Sequence, residues 1–143
     1  MFYIDETGQH GLVAGLEDLG EFEWGCYGTS ISGAVDTVIG TGLQNTLEIV
    51  AGCSETPIAA SEALSYEAEG YSDWYLPSKH ELLEMYNTIG NGSPEGNIGG
   101  FFNWYWSSSE YDNYYALVVS FSNGIASSSG KSYTNRVRVI RAF

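Results

Sequence analysis

Reactive side chains are scarce in this sequence. Histidine occurs only at His10 and His80, and cysteine only at Cys26 and Cys53. His10 falls in a turn between two short apolar runs, and His80 at an early, exposed position of a helical pattern. Neither has metal-ligand or acid–base spacing to a partner. Serine is abundant, yet no Gly-x-Ser-x-Gly elbow presents one as a nucleophile. Two cysteines are too few for a zinc site, and these two lie too far apart for a Cys-x-x-Cys redox pair. They read as one structural disulfide, Cys26 with Cys53, with two buried free thiols as the alternative. The carboxylates are scattered over helix faces and loops, whereas calcium requires several oxygens close together. No catalytic residue, metal ligand or cofactor is expected.

Recognition chemistry is better represented, and it concentrates between Trp104 and Phe143. The stretch opens on an aromatic-serine run, Trp104 to Tyr111, and closes on a basic and apolar strand, Arg136 to Phe143. Between them lies a filling of Tyr, Ser, Asn, Gly and Thr. In Ala116–Phe121, strand alternation assigns Leu117, Val119 and Phe121 to a core face and Val118 and Ser120 to an outward one, continued by Ser122. Asp112, Asn113, Tyr114 and Tyr115 form a loop before that strand. Ile125, Ser127, Ser128 and Ser129 follow in a hairpin, then Ser132, Tyr133 and Thr134, with Trp104 at the edge. If the strands are neighbours, these positions converge on one ligand-binding surface.

Tyrosine with small polar residues is the composition of antibody-like contact surfaces. The phenol gives a large amphipathic contact at low entropic cost, and the small residues adapt. An asparagine codon randomised at its adenines yields Tyr, Ser, Asp, Thr, Ile, Val, His and Gly, but not Lys, Glu or Trp. The candidate positions draw almost wholly on that set. The plainer alternative is that Ser, Asn and Tyr make good polar turns and strand edges.

The elements that hold these residues can be read from punctuation. Residues 2–5 and 11–14 pattern as short strands about a Thr7-Gly8 turn, and 29–42 as an ordered loop. Leu43, Leu47 and Val50 stand at helical spacing, with Gly52 as a stop. A second helix is predicted with Thr56 as N-cap, Pro57 at its first position and Gly70 past its end, turning Ala60, Ala63, Leu64 and Ala68 inward. A third spans 79–89 behind a Ser78–Glu81 capping box, burying Leu82, Leu83, Met85, Tyr86 and Ile89. From Phe101 onward the pattern is β, with Ser-Asn-Gly and Ser-Gly-Lys turns. Helices in the middle and strands at both ends predict an α+β domain with paired terminal strands. Asp73 is expected to bond turn amides, Trp74 to fill the core, and Glu110 to pair with Arg138 or Arg141.

Bulk properties narrow the function. The 143 residues suit one domain, 1–143, with 43% hydrophobic and 15% aromatic residues, enough to bury a core. Eighteen acids against five bases give a net charge of −13, which repels phosphate backbones and makes a nucleic-acid partner a poor expectation. No apolar run is long enough to insert in a membrane, and Phe2 to Asp5 reads as strand instead of signal peptide. The chain is therefore expected to be a piece of a longer exported protein or a virion component, placed outside the cell or on its surface.

Several motifs carry a family resemblance. They are Gly11-Leu12-Val13-Ala14, Trp24-Gly25, Gly40-Thr41-Gly42 with Asn45-Thr46, and Asp73-Trp74-Tyr75-Leu76-Pro77-Ser78 before Glu81-Leu82. Tyr105-Trp106-Ser107-Ser108-Ser109-Glu110, Phe121 with Asn123-Gly124, and Val137-Arg138 before the Val139–Phe143 ending complete the set. In this order they resemble, nearly end to end, the DUF1566 family, which includes the C-terminal domain of bacterial collagen-like adhesins. The resemblance implies a C-type-lectin-like fold, with two or three helices flanking a small, mostly antiparallel sheet. It implies two functional settings: trimeric adhesins that bind glycosaminoglycans, and variable proteins diversified by retroelements, including those of phage. Trp74-Tyr75-Leu76-Pro77 is also similar to a segment of formylglycine-generating enzymes, but those need late cysteines and none follows Cys53. The expectation is a non-enzymatic domain whose surface at about 104–134 recognises a protein or glycan on a cell. The alternative is a homotrimeric adhesin module.

Overall fold

The computed structural model describes all of residues 1–143. Along the chain run β1 (Tyr3–Ile4), β2 (Gly11–Ala14), β3 (Glu21–Glu23), α1 (Gly42–Gly52), α2 (Ala59–Ser65), α3 (Lys79–Ile89), β4 (Trp104–Glu110), β5 (Tyr115–Ser120), β6 (Ala126–Gly130), β7 (Thr134–Arg136) and β8 (Ile140–Ala142). The architecture is α+β, with three helices and two mostly antiparallel sheets, ordered β1-β2-β8 and β3-β7-β4-β5-β6. The chain ends meet as expected: Leu12 pairs with Ala142 and Ala14 with Ile140. Gly11 and Phe143 extend the ladder by exchanging backbone hydrogen bonds of 3.1 and 3.0 Å.

Local signals set α3. The Ser78 hydroxyl accepts from the Glu81 amide, and the Glu81 carboxylate accepts from the Ser78 amide at 2.8 Å, so two otherwise unpaired donors are satisfied. Leu82 and Met85 are buried, while Leu83, Tyr86 and Ile89 are half-buried. His80, expected to be exposed, is also half-buried. The N-cap of α2 is Ile58 and not Thr56, and Pro57 lies outside the helix. The Ser61 hydroxyl accepts from the Ile58 amide at 3.0 Å, a cap that moves the start inward. That helix ends at Ser65, so Ala68 is left in a turn where Glu69 and Gly70 both have positive φ.

Helix α1 forms where Leu43, Leu47 and Val50 stand at helical spacing, but those three residues are not its buried face. Leu43, Leu47 and Val50 face solvent, and Gly42, Asn45, Thr46 and Ile49 face inward. The inward polar groups bind the preceding loop and the strand-like segment before α3. Asn45 donates to the Asp36 carbonyl at 2.7 Å, and the Thr46 hydroxyl accepts from the Leu76 amide at 3.1 Å. Buried backbone groups require such partners, and that requirement outweighs the burial of three aliphatic side chains.

Two buried clusters make the core, and β5 contributes to both. Ala116 and Val118 join Trp24, Trp74 and Trp106, while Val119 and Phe121 join Leu82, Met85 and Tyr105. With both faces covered, Val118 and Ser120 are each only 3% exposed, which corrects the expectation that they face outward. Leu117 is half-buried instead. Cys26 and Cys53 form the expected disulfide, with a Cα–Cα distance of 5.9 Å, tying the loop after β3 to the end of α1. The sulfurs are therefore not free to join nearby Glu55 as metal ligands. No helix is long and apolar enough to cross a membrane.

Candidate functional site

The β4–β5 turn and the β6–β7 turn lie side by side, and the candidate tyrosines gather on them. The Asp112 carboxylate shapes the first turn by accepting from the Tyr114 and Tyr115 amides at 2.8 and 2.9 Å. Asn113 anchors it from outside, its carbonyl accepting from the Gly28 amide at 2.9 Å. Gly28 sits at φ +93, a left-handed conformation that costs glycine little. Tyr115 pairs across the ladder with Gly130, and the Tyr133 ring lies beside the Gly130 Cα. Asp112, Asn113, Tyr114, Tyr115, Ser132 and Tyr133 are all exposed, with Tyr133 at 68%.

Beneath these exposed rings lies a buried ion pair. The Lys131 ammonium has no exposed surface; it donates to Glu110 at 2.6 Å and to the Thr29 carbonyl at 2.8 Å, and stands 4.7 Å from the Trp24 ring centre. Glu110 also accepts from the Ile31 amide at 2.8 Å. The expected partners were Arg138 and Arg141, but those belong to the other end of the fold. Arg138 bonds Asp18 at 2.8 Å, and Arg141 grips Asp73 through two bonds of 2.7 and 3.0 Å. Asp73 thus serves an arginine instead of turn amides, and that guanidinium holds its carboxyl below the usual carboxylate range. Trp74 fills the core as expected.

A second group of candidates forms a small cup of about 160 Å³ lined by Trp104, Val118, Ser127, Ser128, Ser129 and Asn135. The sheet curls enough that Asn135 in β7 donates to the Ser129 hydroxyl in β6 at 3.0 Å. Val118 is the floor of this cup. Thr134 stands exposed on β7, opposite Glu23. Ser122 and Ile125 are exposed too, but in the β5–β6 turn at the far end of β5 from Tyr115. Six strand residues span roughly 20 Å. The candidates therefore do not converge on one surface: they divide into a tyrosine patch, a serine cup and a distal turn.

Three contributors lie outside the candidates named from the sequence. Tyr27 packs against Tyr114 with ring centres 5.1 Å apart, and Tyr111 stands 65% exposed beside them. Asn135 closes the cup. Tyr111 sat next to Asp112 in sequence and was legible as part of the same loop, whereas Tyr27 is brought in by a tertiary contact that no local pattern encodes.

An α+β domain with paired ends, a curled sheet and an exposed tyrosine patch is the class that fold and surface define. The profile of the Lcl C-terminal domain matches residues 28–141, and the chain belongs to that family. Among solved structures, a fimbrial protein from Bacteroides ovatus ATCC 8483 is similar in fold, with a TM-score of 0.63 at 18% identity. The likeness covers 91% of this chain and 35% of that one, so this chain spans about a third of the fimbrial protein's length. No curated protein matches the sequence.

Proposed function

We propose that this domain is a non-enzymatic, C-type-lectin-like recognition module that acts outside the cell or on its surface, and that its C-terminal surface binds a protein or glycan. The observation that carries this is the patch of Tyr27, Tyr111, Tyr114, Tyr115 and Tyr133, exposed in water yet mounted on a buried ion pair. Large apolar rings exposed together mark a contact surface, and a rigid mount lowers the entropy lost on binding. The disulfide supports an oxidising location. The surface would be tested on arrays of glycans and of cell-surface proteins, comparing the parent domain with Tyr114→Ala and Tyr133→Ala. Loss of a specific signal supports the reading, and an unchanged signal contradicts it.

Diversification by a retroelement is part of this proposal. Apart from Trp104, the exposed candidates keep the residue set that adenine mutagenesis leaves, although burial makes Val118 and Ser120 poor positions for a variable contact. A near-repeat of the encoding DNA beside a reverse transcriptase, differing only at adenines, is the expected finding. Its absence removes diversification from the reading and leaves the binding surface.

A second reading, a homotrimeric adhesin module, is favoured by the exposed Leu43, Leu47 and Val50 of α1, which a neighbouring copy would cover. Glycosaminoglycan binding fits it less well, because Arg136, Arg138 and Arg141 are all engaged by Asp18 or Asp73. Light scattering giving a trimer mass supports this reading, and a monomer mass removes it.

A further inference from the structure

We propose that a groove on another part of the fold is a second binding site, for a short segment of another protein that combines apolar and basic side chains. The groove encloses about 810 Å³ between β2, the end of β8 and the segment after α2, and its walls include Leu16, Tyr66, Tyr71, Trp74, Arg141 and Phe143. None of residues 104–134 lines it. Its size lies in the range of formed ligand pockets.

The floor requires an apolar occupant. Val13, Ala14 and the edge of Trp74 lie within it, and Leu16 at the rim is 78% exposed, with Tyr71 and Phe143 about half exposed. Leu16, Tyr71 and Phe143 keep much of their apolar surface in water, and grouped exposed apolar surface marks a contact site.

Charge decides which apolar occupant. Arg141 is the cation of the groove, and it is already committed: it grips Asp73 and lies 3.6 Å over the Tyr71 ring. The two carboxylates of the groove are not neutralised. Glu17 accepts a hydrogen bond from the Tyr66 hydroxyl at 3.1 Å and has no ion pair, and Glu69 has none. Burial raises the Tyr66 pKa, and the hydrogen bond to Glu17 and the charges of Glu17 and Glu69 raise it further. Glu67 lines an adjoining depression beside Tyr71. A sulfated or phosphorylated ligand is repelled here, and a purely apolar one leaves carboxylates desolvated without a partner. A segment with apolar side chains for the floor and lysine or arginine for Glu17 and Glu69 satisfies both. A second copy of this chain does not supply it, because Lys131 and all three arginines are held in ion pairs, leaving Lys79 alone.

The probe is a labelled, amidated peptide of alternating lysine with leucine or phenylalanine, followed by fluorescence anisotropy at about 0.15 M salt. Saturable binding is expected for it, and none for versions with glutamate in place of lysine or serine in place of the apolar residues. Glu17→Gln with Glu69→Gln, and separately Leu16→Ser, should each weaken binding by about tenfold. All three positions are exposed, so an unchanged melting temperature will accompany these changes. Glu55→Gln with Glu95→Gln removes two exposed acids outside the groove and should leave affinity as it was. Absence of saturable binding overturns the site. So does equal weakening by the Glu55/Glu95 pair, which shows diffuse attraction to an acidic protein. Weakening by Tyr114→Ala moves the peptide to the tyrosine patch and overturns this site while leaving that one standing.

Discussion

Lys131 is the residue on which the tyrosine patch depends. Its ammonium is fully buried and is balanced by Glu110, the Thr29 carbonyl and the Trp24 ring. Removing one member of a buried pair strands the other, so Lys131→Met should destabilise the domain by about 3–5 kcal/mol in urea unfolding. The double change Glu110→Gln with Lys131→Met should recover much of that loss; no recovery would show that the lysine acts by packing alone. From the sequence, Glu110 was legible as a carboxylate in need of a partner, but its partner was not. The arginines of the last strand were the bases nearest in pattern, and nothing local reveals that the β6–β7 turn folds Lys131 back over Trp24. Glu81 gives a pH test at the same scale. Burial raises its pKa despite the hydrogen bonds from the Ser78 and Gly40 amides. An acid whose folded pKa lies above its unfolded value contributes stability that is present at low pH and lost as pH rises through that raised value. Relative to Glu81→Gln, the parent should therefore gain stability as pH falls from neutral towards the unfolded value of 4.5, followed by thermal unfolding.

At the scale of elements, α1 separates what spacing says from what the fold requires. Leu47→Gln should change stability by no more than about 0.5 kcal/mol, since its side chain is exposed. Ile49→Ala on the buried face should cost about 2–5 kcal/mol. The reverse result in denaturant melts would mean that the helix is turned by half a revolution. Helix α3 and the terminal strands were legible because their determinants are local: a Ser78–Glu81 box, and apolar runs bounded by turns. The inward face of α1 was not, because Asn45 and Thr46 are held by Asp36 in the preceding loop and by Leu76, thirty residues on, outside the helix pattern itself. Strand β5 fails for a related reason. Alternation assumes one wet face, and Trp106 with Trp24 covers the face that Val118 was to present to water.

Taken as a whole, the molecule is a small acidic frame with its exposed tyrosines at its margins. The Cys26–Cys53 bridge, with a sequence separation of 27, closes a loop that carries Tyr27 and the backbone supports of the tyrosine patch. Replacing both cysteines by serine should cost about 3 kcal/mol, measured by thermal unfolding with and without reductant. The composition of the proposed binding surface was legible in the sequence, while its division into a patch, a cup and a distant turn depends on the curl of the sheet. The central claim is that the exposed tyrosines bind and do not fold the domain. It is tested most directly by the triple change Tyr114→Ala, Tyr115→Ala and Tyr133→Ala, with capture on glycan and surface-protein arrays measured beside the melting temperature. Capture should be abolished while the melting temperature stays within a few degrees of the parent, roughly the shift that 1 kcal/mol produces. Retained capture, or a collapse of the melting temperature, would contradict it.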